Sequence, residues 1–170
     1  MAVINPGVFT VFGANMDKTI TNARQLAHYV VNCCTRDTSP ISNLQLQKIL
    51  YFLQVVFCRE TGMLLFSEEF EAWQYGPVLP DVYHEYSVYG GTPIVETYPA
   101  SEFFSLQPIE SFLRQGINCL RAKSPWELVR SSHAEGMPWS NVWNDGEGSH
   151  RVIPNSLILA SYASEVAADE

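Results

Sequence analysis

The sequence predicts a mainly α-helical protein: a single compact domain around a long central helix, with a small two-stranded β element. Three observations predict this fold class. Apolar residues recur at helical spacing in several segments, two Ser-x-x-Gln/Glu capping boxes mark helix starts, and one short alternating segment before Gly-Pro is typical of a strand. A chain of 170 residues buries roughly 70% of its unfolded surface, which is enough for one core without disulfides or metals.

Two helices are predicted in the first third of the chain. In the first, from Thr19 to about Cys34, apolar residues repeat every three or four positions. In the second, Ser42 forms a capping box with Gln45, and the helix is expected to continue until Gly62 ends it. Its apolar face should form the centre of the core and consists of Leu46, Ile49, Leu50, Leu53, Val56 and Phe57.

A polar strip is expected on the other side of this central helix. Two interpretations fit it: side chains that hydrogen-bond to neighbouring elements, or side chains that contact a partner. We favour the structural interpretation, because a central helix commonly satisfies buried backbone groups in this way. The strip consists of Gln47, Lys48, Tyr51, Gln54 and Cys58.

A short β element and a short helix follow. Residues 71–75 alternate and are β-prone, the strand is expected to end at Gly76–Pro77, and residues 93–97 are its predicted mate. Between these two strands Pro80 opens a helix on which His84 faces outward. The side chains predicted to face inward are Val82, Tyr83, Tyr86 and Tyr89.

Helices dominate the second half of the chain as well. Apolar spacing predicts a helix over residues 109–120 and a closing helix over residues 154–166. Between them, a second capping box from Ser124 to Glu127 starts another helix, and Pro138 begins a single further turn. No internal repeat or low-complexity segment interrupts this order.

The charge and hydropathy of the chain restrict its partners. A formal net charge of −8, with only ten Lys and Arg residues, argues against binding to the phosphates of DNA or RNA. Acidic character instead favours fast association with a basic partner. No run of about 20 apolar residues and no signal-peptide pattern occurs, so the sequence predicts a cytoplasmic protein without a membrane partner.

Motifs for a cofactor, a metal or a catalytic nucleophile are missing from the sequence. There is no P-loop, no GxGxxG segment and no GxSxG elbow. We therefore expect no cofactor, no metal and no enzymatic activity. The cysteines form no CxxC pair and are predicted to be buried free thiols; they are Cys33, Cys34, Cys58 and Cys119.

In two places a histidine lies close to a carboxylate in the sequence, at His84–Glu85 and at His133 and Glu135. Neither pair has the spacing of a zinc protease or a zinc deaminase motif. A hydrolase that uses all four side chains is the least favoured function. It requires them to converge within reach of one reacting atom.

Four segments form a pattern specific enough to indicate a family. They are Leu44-Gln-Leu-Gln-Lys-Ile-Leu-Tyr, Phe70-Glu-Ala-Trp-Gln-Tyr-Gly-Pro-Val, Pro80-Asp-Val-Tyr-His-Glu-Tyr and His133-Ala-Glu-Gly-Met-Pro-Trp. In their order and spacing they resemble the Panacea domain, a SocA-like antitoxin domain found in phage-associated proteins. The pattern residues, interpreted as mainly structural, are Leu46, Gln47, Lys48, Leu50, Tyr51, Trp73, Tyr75, Gly76, Pro77, Tyr83, Tyr86, His133, Glu135, Pro138 and Trp139.

The resemblance covers residues 19–166 and implies both a fold and a function. We assign the domain to residues 17–170 and an N-terminal extension to residues 1–16. The implied fold is mainly helical with a minor β element. The implied protein neutralises a bacterial or phage toxin by binding it and, in some relatives, acts as an adaptor that delivers the toxin to a protease. No catalytic residue is implied, and an alternative is a phage-encoded protein that acts on a host factor other than a toxin.

Five residues are predicted to contact the partner. Gln47, Tyr75 and His84 are expected on one exposed face of the domain. Phe9 and Phe12 belong to an apolar segment of the N-terminal extension. That extension is either a terminal tail or an interaction arm.

Overall fold

Seven α-helices and one antiparallel sheet make up residues 19–166, the part of the chain that the computed structural model describes, with side chains to residue 160. The helices are α1 (Ala23–Arg36), α2 (Asn43–Thr61), α3 (Pro80–Glu85), α4 (Glu110–Arg121), α5 (Pro125–Ser132), α6 (Pro138–Trp143) and α7 (Asn155–Val166). The strands are β1 (Phe70–Trp73), β2 (Gly76–Val78) and β3 (Val152–Ile153), and 3₁₀ turns span Ser87–Tyr89, Ala100–Ile109 and Asn144–Gly146. The predicted fold class, mainly α with a minor β element, is confirmed. Within this range no helix has both the length and the apolar character needed to traverse a lipid bilayer.

Helix α2 forms the centre of the core and packs against α1, α4, α5, α7 and β2. It begins with the predicted capping box, in which Ser42 accepts from the amide of Gln45 and the Gln45 side chain accepts from the amide of Ser42. It ends where Gly62 adopts a left-handed conformation, with φ of 72°. Almost every side of α2 is buried. Val55 therefore belongs to the core, whereas Val56, predicted to face inward, is exposed.

The sheet has the strand order β2–β1–β3, and both outer strands run antiparallel to β1. A tight hairpin joins β1 to β2, with Trp73 opposite Gly76. On the other side of β1, Phe70 lies opposite Ile153 of β3. A strand near the C-terminal end of the chain thus closes a sheet that begins in the middle of it.

Two predictions about the β element are wrong. The element has three strands, and residues 93–97 are not among them, since Pro93 forms only an isolated bridge to Ser42. Gly76–Pro77 begins β2 and does not simply end β1. Proline is tolerated there because β2 is an edge strand, where a missing backbone N–H costs little. The real second mate, β3, has only two residues, too few to produce an alternating pattern.

Two local predictions also need correction. Helix α1 begins at Ala23 and not at Thr19, because Asn22 is its N-cap and accepts a hydrogen bond from the Gln25 amide at 2.8 Å. Three of the cysteines are buried as predicted, but Cys119 is exposed. It lies on the outward side of the amphipathic helix α4.

Gln54 of the polar strip holds the loop that follows α2. Its Oε1 accepts a hydrogen bond from the Leu65 amide, and its Nε2 donates one to the Phe66 carbonyl, both at 2.8 Å. All three residues are fully buried. These contacts confirm the structural interpretation of this part of the strip, because the glutamine supplies hydrogen-bond partners to two buried backbone groups that would otherwise have none.

We predict that Gln54→Leu lowers the free energy of unfolding by about 2–4 kcal/mol, because it leaves the Leu65 amide and the Phe66 carbonyl buried without partners. Urea denaturation measures this change. Gln115→Leu, at an exposed position of α4, is the matched control and should change stability by less than about 0.5 kcal/mol. Equal effects of the two substitutions would contradict the role given to Gln54.

Candidate functional site

The β1–β2 hairpin is tied to α2 by a fully buried lysine. Lys48 Nζ donates a hydrogen bond to the Pro77 carbonyl at 2.8 Å. Because burial disfavours the ammonium form, the pKa of Lys48 is lowered from 10.5 to about 7. The lysine therefore loses much of its charge near neutral pH, while its nitrogen still donates to the hairpin backbone.

Gly76 lets the hairpin approach this lysine closely. A Cβ at this position would lie 2.6 Å from Ser132 Oγ and 2.7 Å from Lys48 Cε, both closer than real Cβ contacts. The residue also has φ of +97°, a conformation that favours glycine. Ser132 is itself buried and donates a hydrogen bond to the Val129 carbonyl at 2.8 Å. The hairpin, α2 and the end of α5 thus meet at one point with no room for a side chain.

A stack of aromatic rings holds the other side of the hairpin. Trp139 Nε1 donates to the carbonyl of Trp73 at 3.0 Å. The ring of His133 lies flat against Trp139, with centroids 3.7 Å apart, and Trp143 follows at 5.2 Å from Trp139. Burial and then the nearby charge of Lys48 lower the pKa of His133. Pattern residues that are far apart in the sequence therefore converge on the hairpin.

Gln47 fixes the exit from β2 and the start of α3. Its Oε1 accepts from the Leu79 amide at 2.9 Å, and its Nε2 donates to Asn43 Oδ1 at 3.2 Å. Asn43 in turn donates to the carbonyl of Tyr83 at 3.0 Å. This chain of hydrogen bonds runs from α2 to the backbone of α3 and sets the position of Tyr83.

Residues of the hairpin, α2 and α3 line an open cavity of about 590 Å³, which we call the aromatic recess. The ring of Trp73 lies 5.0 Å from that of Tyr83 and 4.8 Å from that of His150. At the rim, Tyr75 meets Trp126 edge to face at 5.5 Å. The ring-bearing side chains that line the recess are Trp73, Tyr75, Tyr83, Trp126, Trp143 and His150.

The predicted partner-binding residues differ in how exposed they are and in where they lie. Tyr75 lies on the rim of the recess, 50% exposed. His84 is exposed on α3, with its ring 5.7 Å from that of Tyr83. Gln47 was expected on the same exposed face, which is wrong: it is 1% exposed, because its amide groups are used inside the domain. Phe9 and Phe12 lie outside the described residues.

Trp126, Trp143 and His150 line the recess but were not selected from the sequence as site residues. Only Trp126 carried a local signal. It is a large aromatic residue in the first turn of a capped helix, where α5 leaves it 55% exposed. The other two reach the recess through the packing of α6 and the loop before β3, which no local pattern specifies.

The four residues of the hydrolase hypothesis are held by different parts of the fold. Glu85 accepts hydrogen bonds from Arg24 at 2.9 Å and from His28 at 2.7 Å. Although burial raises it, these two partners bring the pKa of Glu85 below its ordinary value. His133 stacks on α6, and Glu135 and His84 are exposed. Across residues 19–160, no cluster of three or more His, Cys, Asp or Glu side chains is arranged to hold a metal.

We predict that Lys48 makes stability depend on pH just above neutrality. In the unfolded chain its pKa is near 10.5, against about 7 in the fold. Between these values the unfolded state binds more protons, so the lysine's contribution to stability rises with pH and is lost as pH falls towards 7. From pH 7 to 8.5, the unfolding free energy of the wild type relative to Lys48→Met should increase by up to about 1.4 kcal/mol per pH unit.

Urea denaturation of both proteins across this pH range measures the difference. The buried cysteines and tyrosines are common to the two proteins, so their own pH dependence cancels. A difference that stays constant with pH would contradict the lowered pKa of Lys48.

We predict that Gly76→Ala destabilises the protein by about 2 kcal/mol or more, because the new Cβ meets Ser132 and Lys48 and the backbone conformation is strained. Thermal melts measure the loss. Gly91→Ala is the control, since a Cβ there would have no atom within 4 Å. If both variants melted alike, the close approach at Gly76 would be wrong.

Comparison with known proteins identifies a family and a relative. Residues 46–140, from α2 to α6, match the family described as "Antitoxin SocA-like, Panacea domain". Over 144 residues the chain is 33% identical to the protein named "Antitoxin SocA" from Caulobacter vibrioides (strain NA1000 / CB15N). The aligned region covers 79% of this chain and 76% of that protein. No solved structure matches the chain. The family match and the identity to this relative together show that the chain belongs to the SocA-like antitoxin family, as a Panacea domain protein.

Proposed function

We propose that this protein is a cytoplasmic antitoxin that neutralises a cognate toxin by binding it directly, through the aromatic recess and its rim. The observation that carries the proposal is the pair of exposed rings at the rim, Tyr75 and Trp126. Tyrosine and tryptophan are among the residues that most often dominate the energy of protein–protein interfaces. Membership in an antitoxin family supports a toxin as the partner, and the exposed aromatic surface supports the recess as the place where it binds.

The rigidity of the hairpin supports this choice of surface. Tyr75 is one of the two residues that connect β1 to β2, and Lys48 and Trp139 hold the backbone on either side of it. A surface held in place before association loses less conformational freedom when a partner binds. In this proposal Lys48 and Trp139 therefore raise the affinity for the toxin without contacting it. Gln47 is in this sense a positioning residue for Tyr83 and α3.

The contact surface extends beyond the recess in our proposal. His84 is exposed next to Tyr83 and would enlarge the surface along α3. Phe9 and Phe12 are proposed as additional contacts from the N-terminal extension. Removing residues 1–16 should then weaken toxin binding without abolishing it.

We predict that the protein encoded by the adjacent open reading frame arrests growth and that co-expression of this chain restores it. The variant with both Tyr75→Ala and Trp126→Ala should bind that protein at least ~30-fold more weakly, a loss of about 2 kcal/mol, because both exposed anchors are removed. Growth on plates and binding of the purified proteins measure the two effects. The midpoint of thermal unfolding should change little, since both side chains lie at the surface.

Phe104→Ala is the matched control, because Phe104 is an aromatic residue 64% exposed in a separate cavity. It should neutralise the toxin like the wild type. If the adjacent protein is harmless, or still arrests growth beside the wild-type chain, the antitoxin proposal fails and a host factor becomes the better target. If the double variant binds normally, the recess is the wrong surface. A toxin that disappears only in cells with an intact protease would instead indicate delivery for degradation.

A further inference from the structure

We infer that the aromatic recess binds an arginine side chain presented by the partner protein. The inference rests on the proposed function, since it describes the chemistry by which the same surface recognises the toxin. It is carried by three features of the recess: its aromatic walls, a carboxylate at the edge of one of these rings, and polar side-chain groups that have no partner inside the domain.

The walls of the recess are suited to a cation. The chain has four tryptophans, and three of them, Trp73, Trp126 and Trp143, line this one cavity. The face of an aromatic ring carries partial negative charge and attracts a cation within about 6 Å of its centre, and tryptophan does so most strongly. A recess with several such faces therefore offers a cationic side chain more than one contact at once.

The charges around the recess favour the same occupant. No Asp, Glu, Lys or Arg residue lines it. At the edge of the Trp73 ring, Glu71 Oε2 accepts a hydrogen bond from Trp73 Nε1 at 2.8 Å and lies 3.8 Å from His150 Nδ1. This hydrogen bond to a carboxylate makes the indole ring more electron-rich. The formal charge of −8 on the whole chain adds attraction for a basic partner.

Polar atoms in the recess distinguish arginine from an apolar side chain. Four residues that line the recess have side-chain polar groups without a hydrogen bond to another described residue: the hydroxyls of Tyr75, Tyr83 and Ser149 and the amide of Gln74. An apolar occupant would cover these groups without satisfying them, which costs free energy. A guanidinium group is planar, stacks on aromatic faces and offers five N–H donors, so it can satisfy several of them while it contacts the rings.

The test uses small probes and needs no toxin. The ¹⁵N-labelled full chain is titrated with acetyl-arginine methylamide, with acetyl-citrulline methylamide as the neutral isostere and with acetyl-leucine methylamide. The arginine probe should shift the indole N–H signals of Trp73, Trp126 and Trp143 in the millimolar range, and bind at least ~10-fold more tightly than citrulline. Trp139 is the internal control, because its indole N–H is buried and bonded to the Trp73 carbonyl.

Two variants separate the electrostatic contribution from shape. Glu71→Gln removes the charge at the edge of the Trp73 ring while it keeps an acceptor for the indole, so it should reduce the preference for arginine over citrulline several-fold. Phe104→Ala should leave that preference unchanged. Equal binding of arginine and citrulline, tighter binding of leucine, no shift of the three indole signals, or a preference unaffected by Glu71→Gln would each overturn the inference.

The outcome is independent of the growth assay. Neutralisation of the toxin without arginine binding would leave the antitoxin proposal intact and remove this inference. Arginine binding without neutralisation would retain the recess as an arginine site and reject the toxin as its partner.

Discussion

The hydrogen bond from Lys48 to the Pro77 carbonyl is the contact on which the rest of the site depends. A buried lysine is costly, and so is a buried carbonyl without a donor. The bond reduces both costs at once and joins the central helix to an edge strand that has a strand neighbour on one side only. Without it, the polar attachment of this part of the fold to α2 would be left to Gln47, which accepts from the Leu79 amide just after β2. The shape of the recess is therefore decided inside the core.

The same arrangement gives several residues of the family pattern a structural role. Lys48, Gly76 and Trp139 set the position of backbone segments, and each is buried. The recess surface also draws on residues outside the pattern, among them Trp126 and His150. The recess therefore combines pattern residues, such as Trp73, Tyr75 and Tyr83, with residues that the pattern does not include.

The acidic character of the chain and the aromatic character of the recess complement each other in our proposals. A net charge of −8 acts over long distances and accelerates encounter with a basic protein. The rings act only at contact, where Tyr75 and Trp126 supply apolar area. Glu71 links the two effects, because it brings a carboxylate to the edge of the Trp73 ring, where it accepts from the indole N–H. Long-range attraction and short-range fit then favour the same kind of partner.

The sequence by itself determined the features that depend on neighbouring residues. The capping boxes at Ser42 and Ser124 and the end of α2 at Gly62 were predictable, because a cap is made within a few residues of the helix terminus. The long-range pattern also identified the family and, through Tyr75, one rim residue. Only the tertiary structure decided that β3 completes the sheet and that Gln47 is buried. These outcomes depend on which distant segments pack together, and no periodicity along the chain records that.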